Sequence, residues 1–278
     1  MTKHTSWAIA LTATTFLSAP AMAASLAPTL EQNSAFSYSE GSENDYNFTL
    51  QEPDADGKLT TKYYKIDLKP EAFLPSGDVT WSEVEADQKE ASSVVAVPLF
   101  NGSYKYFKYT YTQPEGKTVY SSQQNSLAGD INADFVNSTT KTGNGGAISN
   151  PYDGTIGNIT GNIIGNRAVA SRSFGGAIYN RGTIGDIRGT FIGNKAISET
   201  NSIGSEGGGA FIYNQKDIGN INGDIIGNVH QGAASSNGGA IYNPYGGTIK
   251  DITGTIAYNK SMDNGTPENG GGTSKGGF

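Results

Sequence analysis

Cysteine is absent from this 278-residue chain. Disulfides, thiolate metal centres, cysteine nucleophiles and a lipid anchor on an N-terminal cysteine are therefore excluded. Histidine is nearly absent: His4 and His230 are the only two, so no histidine pair stands at metal-ligand spacing. Charge is sparse, at 16% of residues, and acids outnumber bases to leave a net charge of −7. That balance offers no basic stripe for nucleic acid and no cationic patch for anionic lipid. No apolar run reaches the length of a membrane-spanning helix.

Glycine is what the chain has instead, and its distribution divides the sequence. Of 38 glycines, Gly41, Gly57, Gly77, Gly102 and Gly116 are the only ones before residue 126, which leaves 33 in 126–278. Charge divides at the same place. Residues 24–125 hold 8 Lys+Arg against 15 Asp+Glu, while 126–278 hold 10 against 11, so the acidity belongs to the front part. Three domains follow: 1–23, 24–125 and 126–278.

The first segment reads as a secretory signal. Lys3 and His4 form a short basic region, Trp7–Leu17 an apolar one, and Ala21-Met22-Ala23 an A-x-A cleavage site, so the mature chain is expected to begin at Ala24. The second reads as a β-rich domain. Residues 62–68 (KYYKIDL) and 104–111 (YKYFKYTY) carry the aromatic and β-branched residues that favour strands. Asp54–Gly57 and Pro75–Asp78 read as turns, and 83–92 as a short helix or an acidic loop.

The third segment is self-similar. A GGAI or GGAF half-motif starts at Gly145, Gly175, Gly208 and Gly238, at spacings of 30, 33 and 30. A second half-motif follows each: IGNITGNIIGN from Ile156, IGDIRGTFIGN from Ile184, IGNINGDIIGN from Ile218 and IKDITGTIAYN from Ile249. A weaker copy from Ala128 (AGDINADFVNS) lacks the GGAI half and reads as an entry unit. Aligned, the units form apolar columns: Ile131, Ile159, Ile187, Ile221, Ile252; then Phe135, Ile163, Phe191, Ile225, Ile256; then Val136, Ile164, Ile192, Ile226, Ala257. Asparagine columns run through Asn166, Asn194, Asn228, Asn259 and through Asn150, Asn180, Asn214, Asn243.

No run has helical length or period, and one unit cannot bury its own isoleucines. Stacking solves both problems. Each isoleucine then lies on that of the next coil, the backbone ladder continues at about 4.8 Å per coil, and asparagine amides bond along the stack. The expected architecture is all-β: a parallel β-helix of about five coils, roughly 30 residues each, after a smaller β-rich domain, with segments such as 167–174 and 196–207 bulging as loops.

GGAI together with F-x-x-N, present as Phe191-Ile192-Gly193-Asn194, resembles the repeat of chlamydial polymorphic outer-membrane proteins and of many bacterial autotransporter passengers. The likeness covers 126–278. It implies a right-handed parallel β-helix on the Gram-negative cell surface, working in adhesion or other host and neighbour contact, with a glycan among the candidate ligands. It also implies a C-terminal membrane β-barrel. These residues contain no such pattern, so the chain reads as the front fragment of such a protein, or otherwise as a small periplasmic or secreted β-helix.

Catalytic chemistry has one candidate column, Asp130, Asn158, Asp186, Asn220, Asp251. Its aspartates stand two coils apart, roughly 9–10 Å, near the separation of about 6.5–9.5 Å that paired carboxylates of inverting glycosidases need. A polar corner diluted with asparagine to limit repulsion explains the same pattern without chemistry. His230 is placed in a loop without partners. No G-x-S-x-G elbow, phosphate-binding loop or calcium nonapeptide occurs. Tyr179, Tyr213 and Tyr242, with Ser149 at their head, form a column that either stabilises the stack or offers sugars an aromatic face. The N-x-S/T triplets at Asn47, Asn101, Asn137, Asn158, Asn259 and Asn264 are read as coincidental in an asparagine-rich chain. The expectation is therefore a structural and interaction protein, not an enzyme, with no catalytic, cofactor or metal residues. A polysaccharide lyase or hydrolase and a glycan-binding module are the alternatives.

Overall fold

The computed structural model describes residues 36–46, 48–68, 73–89, 91–99, 103–199, 206–232, 235–244, 246–263 and 274–275; the signal segment lies outside them. Nearly all regular structure is β, without an α-helix among the described residues. The described chain forms two compact units, one of Tyr38–Ile66 and one running from Asp67 to the C-terminus.

The smaller unit is a three-stranded sheet of β1 (Phe36–Glu40), β2 (Phe48–Pro53) and β3 (Leu59–Leu68), in the order β1-β3-β2. β2 and β3 pair antiparallel from Phe48 opposite Tyr64 to Pro53 opposite Leu59. The intervening turn is held by Asp54, whose Oδ1 accepts from the backbone N–H groups of Asp56 and Lys58, an Asx turn of the kind expected at Asp54–Gly57.

The larger unit begins with β4 (Val79–Val84), β5 (Val94–Pro98) and β6 (Tyr104–Tyr111), an antiparallel sheet in the order β4-β6-β5. The acidic stretch 83–92 ends β4 and then makes a single 3-10 turn at Ala86–Gln88. β7 (Thr118–Tyr120) pairs parallel with β8 (Gly129–Val136), setting Tyr120 opposite Phe135 with rings stacked 5.2 Å apart. β7 thereby covers the entry end of the first face, and Gln124, bridged to Ile148, stands on the third face where the first unit lacks its GGAI half.

From β8 onward the chain winds into about four turns of a parallel β-solenoid. The first face collects 129–136 and the stretches that repeat it (155–160 with 163–164, 187–192, 221–226, 252–257). The second stacks Thr139–Thr140, Arg167–Ala170, Lys195–Ser198, Val229–Gly232 and Lys260–Asp263. The third stacks Ile148–Asn150, Ile178–Asn180, Ile212–Asn214 and Ile241–Tyr242. The segments expected to loop outward contain strand: 167–174 opens with Arg167–Ala170, and 196–207 includes most of Lys195–Ser198 and the start of Glu206–Gly208, its residues 200–205 lying outside the described ones. Arg167–Ala170 and Lys195–Ser198 are β because their side chains alternate between interior and solvent, with Ala168 and Ala196 sealed inside.

The two central apolar columns fill the interior: Ile159, Ile163, Ile187, Phe191, Ile221 and Ile225 are fully buried. The third column points the other way, as the period of two requires of adjacent residues. Ile164, Ile192 and Ile226 are equally buried, but against Val79, Val95, Val97, Phe107 and Tyr109 of the β4-β6-β5 sheet. That sheet covers an outward apolar stripe which would otherwise face water. The corner beside the stripe is left-handed in every coil: Asn137, Gly165, Gly193, Gly227 and Tyr258 have φ of 55°, 66°, 62°, 62° and 60°. At Gly193 even a methyl group is barred, because a Cβ would lie 2.6 Å from the Tyr109 hydroxyl.

One alignment from sequence requires correction. Matching the GGA triplets sets Gly208 with Gly175, but the backbone sets Ile212 beside Ile178. The left-handed glycine of that coil is Gly209 (φ 66°), equivalent to Gly145, Gly175 and Gly238. Successive asparagines on this face are accordingly 30, 34 and 29 residues apart. The extra residue lets Phe211 enter the core where other coils place Ala147, Ala177 and Ala240, and it stacks on Phe191 at 4.4 Å.

Both asparagine columns are continuous hydrogen-bonded ladders. Asn166 donates from its backbone N–H and from Nδ2 to Asn194 Oδ1, both at 3.0 Å. Asn194 does the same to Asn228 (3.0 and 2.9 Å), and Asn228 to Asn259 (both 2.9 Å). Spare Nδ2 protons go to core carbonyls, such as Ile163 O from Asn194 at 2.9 Å. On the third face Asn150, Asn180, Asn214 and Asn243 bond amide to amide at 2.8, 2.7 and 2.9 Å. Asn194→Ala strands buried donors of Asn166, each worth about 1–3 kcal/mol. In denaturant titration it is expected to lose about 3 kcal/mol, against under about 1 kcal/mol for Asn158→Ala in the half-exposed column; equal losses would contradict the buried ladder.

Candidate functional site

The Asp/Asn column is the place where carboxylates could converge, and its geometry shows how they are used. Asp130 Oδ1 accepts from Asn158 N–H at 2.8 Å and from Asn158 Nδ2 at 3.3 Å. Asn158 Oδ1 accepts from Asp186 N–H at 2.9 Å, and Asp186 Oδ1 from Asn220 N–H and Nδ2 at 2.9 and 3.1 Å. The ladder needs an acceptor in each coil, and Asp or Asn serves equally. Alternation separates like charges and gives Asp130 and Asp186 an amide NH₂ from the next coil. The Asn220 backbone N–H is the main influence holding the Asp186 carboxyl below its usual pKa, and Arg188, with Nη2 at 2.6 Å, contributes further. A carboxyl held ionised in this way is poorly suited to act as a general acid.

A second ladder of this type escaped the sequence reading. Asp134 Oδ1 accepts from Asn162 N–H at 2.7 Å, Asn162 Oδ1 from Thr190 N–H at 3.2 Å, and Asp224 Oδ1 from Thr255 N–H at 2.9 Å. Mixed residue types hid the column. Its first member, Asp134, is wholly buried and takes a 2.6 Å bond from the Tyr111 hydroxyl, while Lys117 Nζ stands 3.7 Å away. Burial first, then the bond to Asp134, pushes the Tyr111 pKa up.

The tyrosine column is in register, Ser149 beside Tyr179 beside Tyr213 beside Tyr242. Tyr179 and Tyr213 stack at 5.3 Å with rings 13° apart, Tyr213 meets Tyr242 edge-on at 5.6 Å, and Phe174 packs on Tyr213 at 4.7 Å. Tyr213 is buried, its hydroxyl accepts from Gln215 Nε2 at 2.7 Å, and burial pushes its pKa up to about 12. The middle of the column is thus sealed by its neighbours and stabilises the stack. The open aromatic lies round the corner: Tyr152 is 65% exposed, with the Arg181 guanidinium and Lys216 ammonium each 5.8 Å from its ring centre. Only the stacked register, which brings residues 152, 181 and 216 together from three turns, reveals this group.

His230 lies in a strand rather than a loop, paired with Ala196 on one side and Ser261 on the other. It is fully buried, in the inward position filled by Ala168 and Ala196 in earlier coils. Burial lowers its pKa to about 4, with only partial compensation from the Asn237 backbone. Among the described residues no three His, Asp or Glu side chains gather as a metal site. Of the N-x-S/T asparagines, Asn158 and Asn259 are engaged in ladders, Asn137 forms a left-handed corner, and Asn47, Asn101 and Asn264 lie outside the described residues.

Comparison with known protein families, with curated proteins and with solved structures finds no match.

His230 makes stability depend on acid. Its folded pKa lies below the unfolded value of about 6.5, so between pH 6.5 and 4 the unfolded state binds the extra proton and stability falls as pH falls. The full cost, roughly 3 kcal/mol, is reached near pH 4. In unfolding measured from pH 8 to 4, His230→Ala is expected to flatten this limb; an unchanged slope would show that His230 is not buried neutral.

Proposed function

We propose that this chain is the exported passenger portion of an autotransporter-like surface protein, with a structural and interaction role rather than a catalytic one. The observation carrying this reading is the use made of the outward polar side chains: in Asp130, Asn158, Asp186 and Asn220 they join coil to coil and do not converge on a groove. The GGAI and F-x-x-N repeats stack in register, as the resemblance implies for a stalk that carries contacts away from a membrane. Protease treatment of intact source cells, read with an antibody to residues 126–278, tests display. Loss of signal while a periplasmic marker survives is the expected result. A chain protected until the cells are broken, or recovered wholly in the medium, would overturn surface anchoring.

Tyr152 favours glycan contact as the form this interaction takes. An exposed ring supplies a stacking face, and Arg181 and Lys216 beside it suit a sugar bearing carboxylate or sulfate. Tyr152→Ala is expected to weaken binding to acidic polysaccharide at least tenfold with unfolding unchanged; unaltered binding would remove this surface from consideration.

A further inference from the structure

At the entry end of the solenoid three side chains meet whose chemistry is complementary. Lys117, just before β7, reaches β8 and places Nζ 2.9 Å from the Asn132 side-chain carbonyl oxygen. Its other neighbour is the Asp134 carboxylate, at 3.7 Å, wholly buried while the Lys117 side chain is 23% exposed. Asp134 is fixed by the Tyr111 hydroxyl at 2.6 Å and Asn162 N–H at 2.7 Å. An amine, a carboxamide and a buried carboxylate are thus held together by rigid strands, since β7 and β8 are paired in register from Thr118 opposite Ala133.

We propose that Lys117 and Asn132 join in an intramolecular isopeptide bond, with Asp134 as the proton carrier. The Asp134 carboxylate, 3.7 Å from Nζ, takes a proton from Lys117 as the amine adds to Asn132 Cγ. The new C–N bond forms as the C–NH₂ bond breaks; Asp134 passes the first amine proton to the departing nitrogen, takes the second as the amide forms and hands it to the released ammonia, so the Lys117 ammonium and the Asn132 carboxamide give a Lys–Asn amide and an ammonium ion, with the Asp134 carboxylate regenerated. No oxidant, metal or cofactor is needed. Alignment of the reacting groups supplies the acceleration, and Asn132, on the exposed side of β8, leaves ammonia an open route to solvent.

The bond would close a loop between positions 15 residues apart and fasten the capping strand β7 to the first coil. Such a covalent staple resists unfolding as a disulfide does, in an exported chain that has no cysteine.

Tryptic digestion of the purified full chain tests this. With the bond present, cleavage after Lys117 fails, and residues 109–141 emerge as one peptide lighter by one ammonia, with fragmentation linking Lys117 to Asn132. Lys117→Arg and Asn132→Ala should each restore the sequence mass. Asp134→Asn, which keeps the side-chain shape, should leave most molecules uncrosslinked. A wild-type chain that is cleaved after Lys117 would overturn the proposal, including one that has lost ammonia by cyclising an asparagine elsewhere. A full yield of cross-link in Asp134→Asn would overturn the role of Asp134.

Discussion

Backbone hydrogen bonds between successive coils set the terms for everything else in the solenoid. A parallel ladder repeats at about 4.8 Å, so every side chain in a coil has a fixed neighbour above and below. An apolar residue then needs an apolar one beneath it, and a polar interior residue needs a partner that can both donate and accept. Asparagine meets the second condition with one side chain: in Asn194 and Asn228 the Oδ1 receives two donors from one coil while Nδ2 reaches the next. The ladder of identical residues follows from the ladder of backbone bonds.

The same constraint governs charge and surface. Aspartates one coil apart would repel in full, and the alternation of Asp130, Asn158, Asp186 and Asn220 keeps the acceptor while removing every second charge. Aromatic rings on the third face stack because register leaves them no alternative, which is why Tyr213 is sealed between Phe174, Tyr179 and Tyr242. Coils also expose an apolar stripe, Ile164, Ile192 and Ile226, wherever two neighbouring isoleucines serve both sides of one strand. The β4-β6-β5 sheet answers that need, and Tyr109 and Val95 press on the left-handed glycines at its margin.

Much of this was legible in the sequence because repetition converts a long-range contact into a visible column. The isoleucine and asparagine columns lie in the register inferred from their spacing, and the stack of coils follows from them. Where residue type varied down a column the reading failed. Asp134, Asn162, Thr190, Asp224 and Thr255 share one column, bonded from Asp134 to Thr190 and again from Asp224 to Thr255, but no single letter marks it. Ala168, Ala196, His230 and Ser261 share one inward position, so His230 looked like a loop residue. Gly208 attracted the GGA alignment, although the asparagine spacing of 34 already placed the extra residue before Asn214. Which isoleucines face inward could not be read within a doublet such as Ile163-Ile164, because the answer depends on a sheet some 60 residues earlier in the chain.

Exchange of asparagine side-chain amide protons, followed by NMR in deuterated water, tests the central claim most directly. If inter-coil ladders organise the fold, the Nδ2 protons of Asn166, Asn180, Asn194 and Asn228 will persist long after those of an exposed asparagine such as Asn125 have exchanged. Exchange of all asparagine amides at the rate of an unfolded chain would contradict the stacked register.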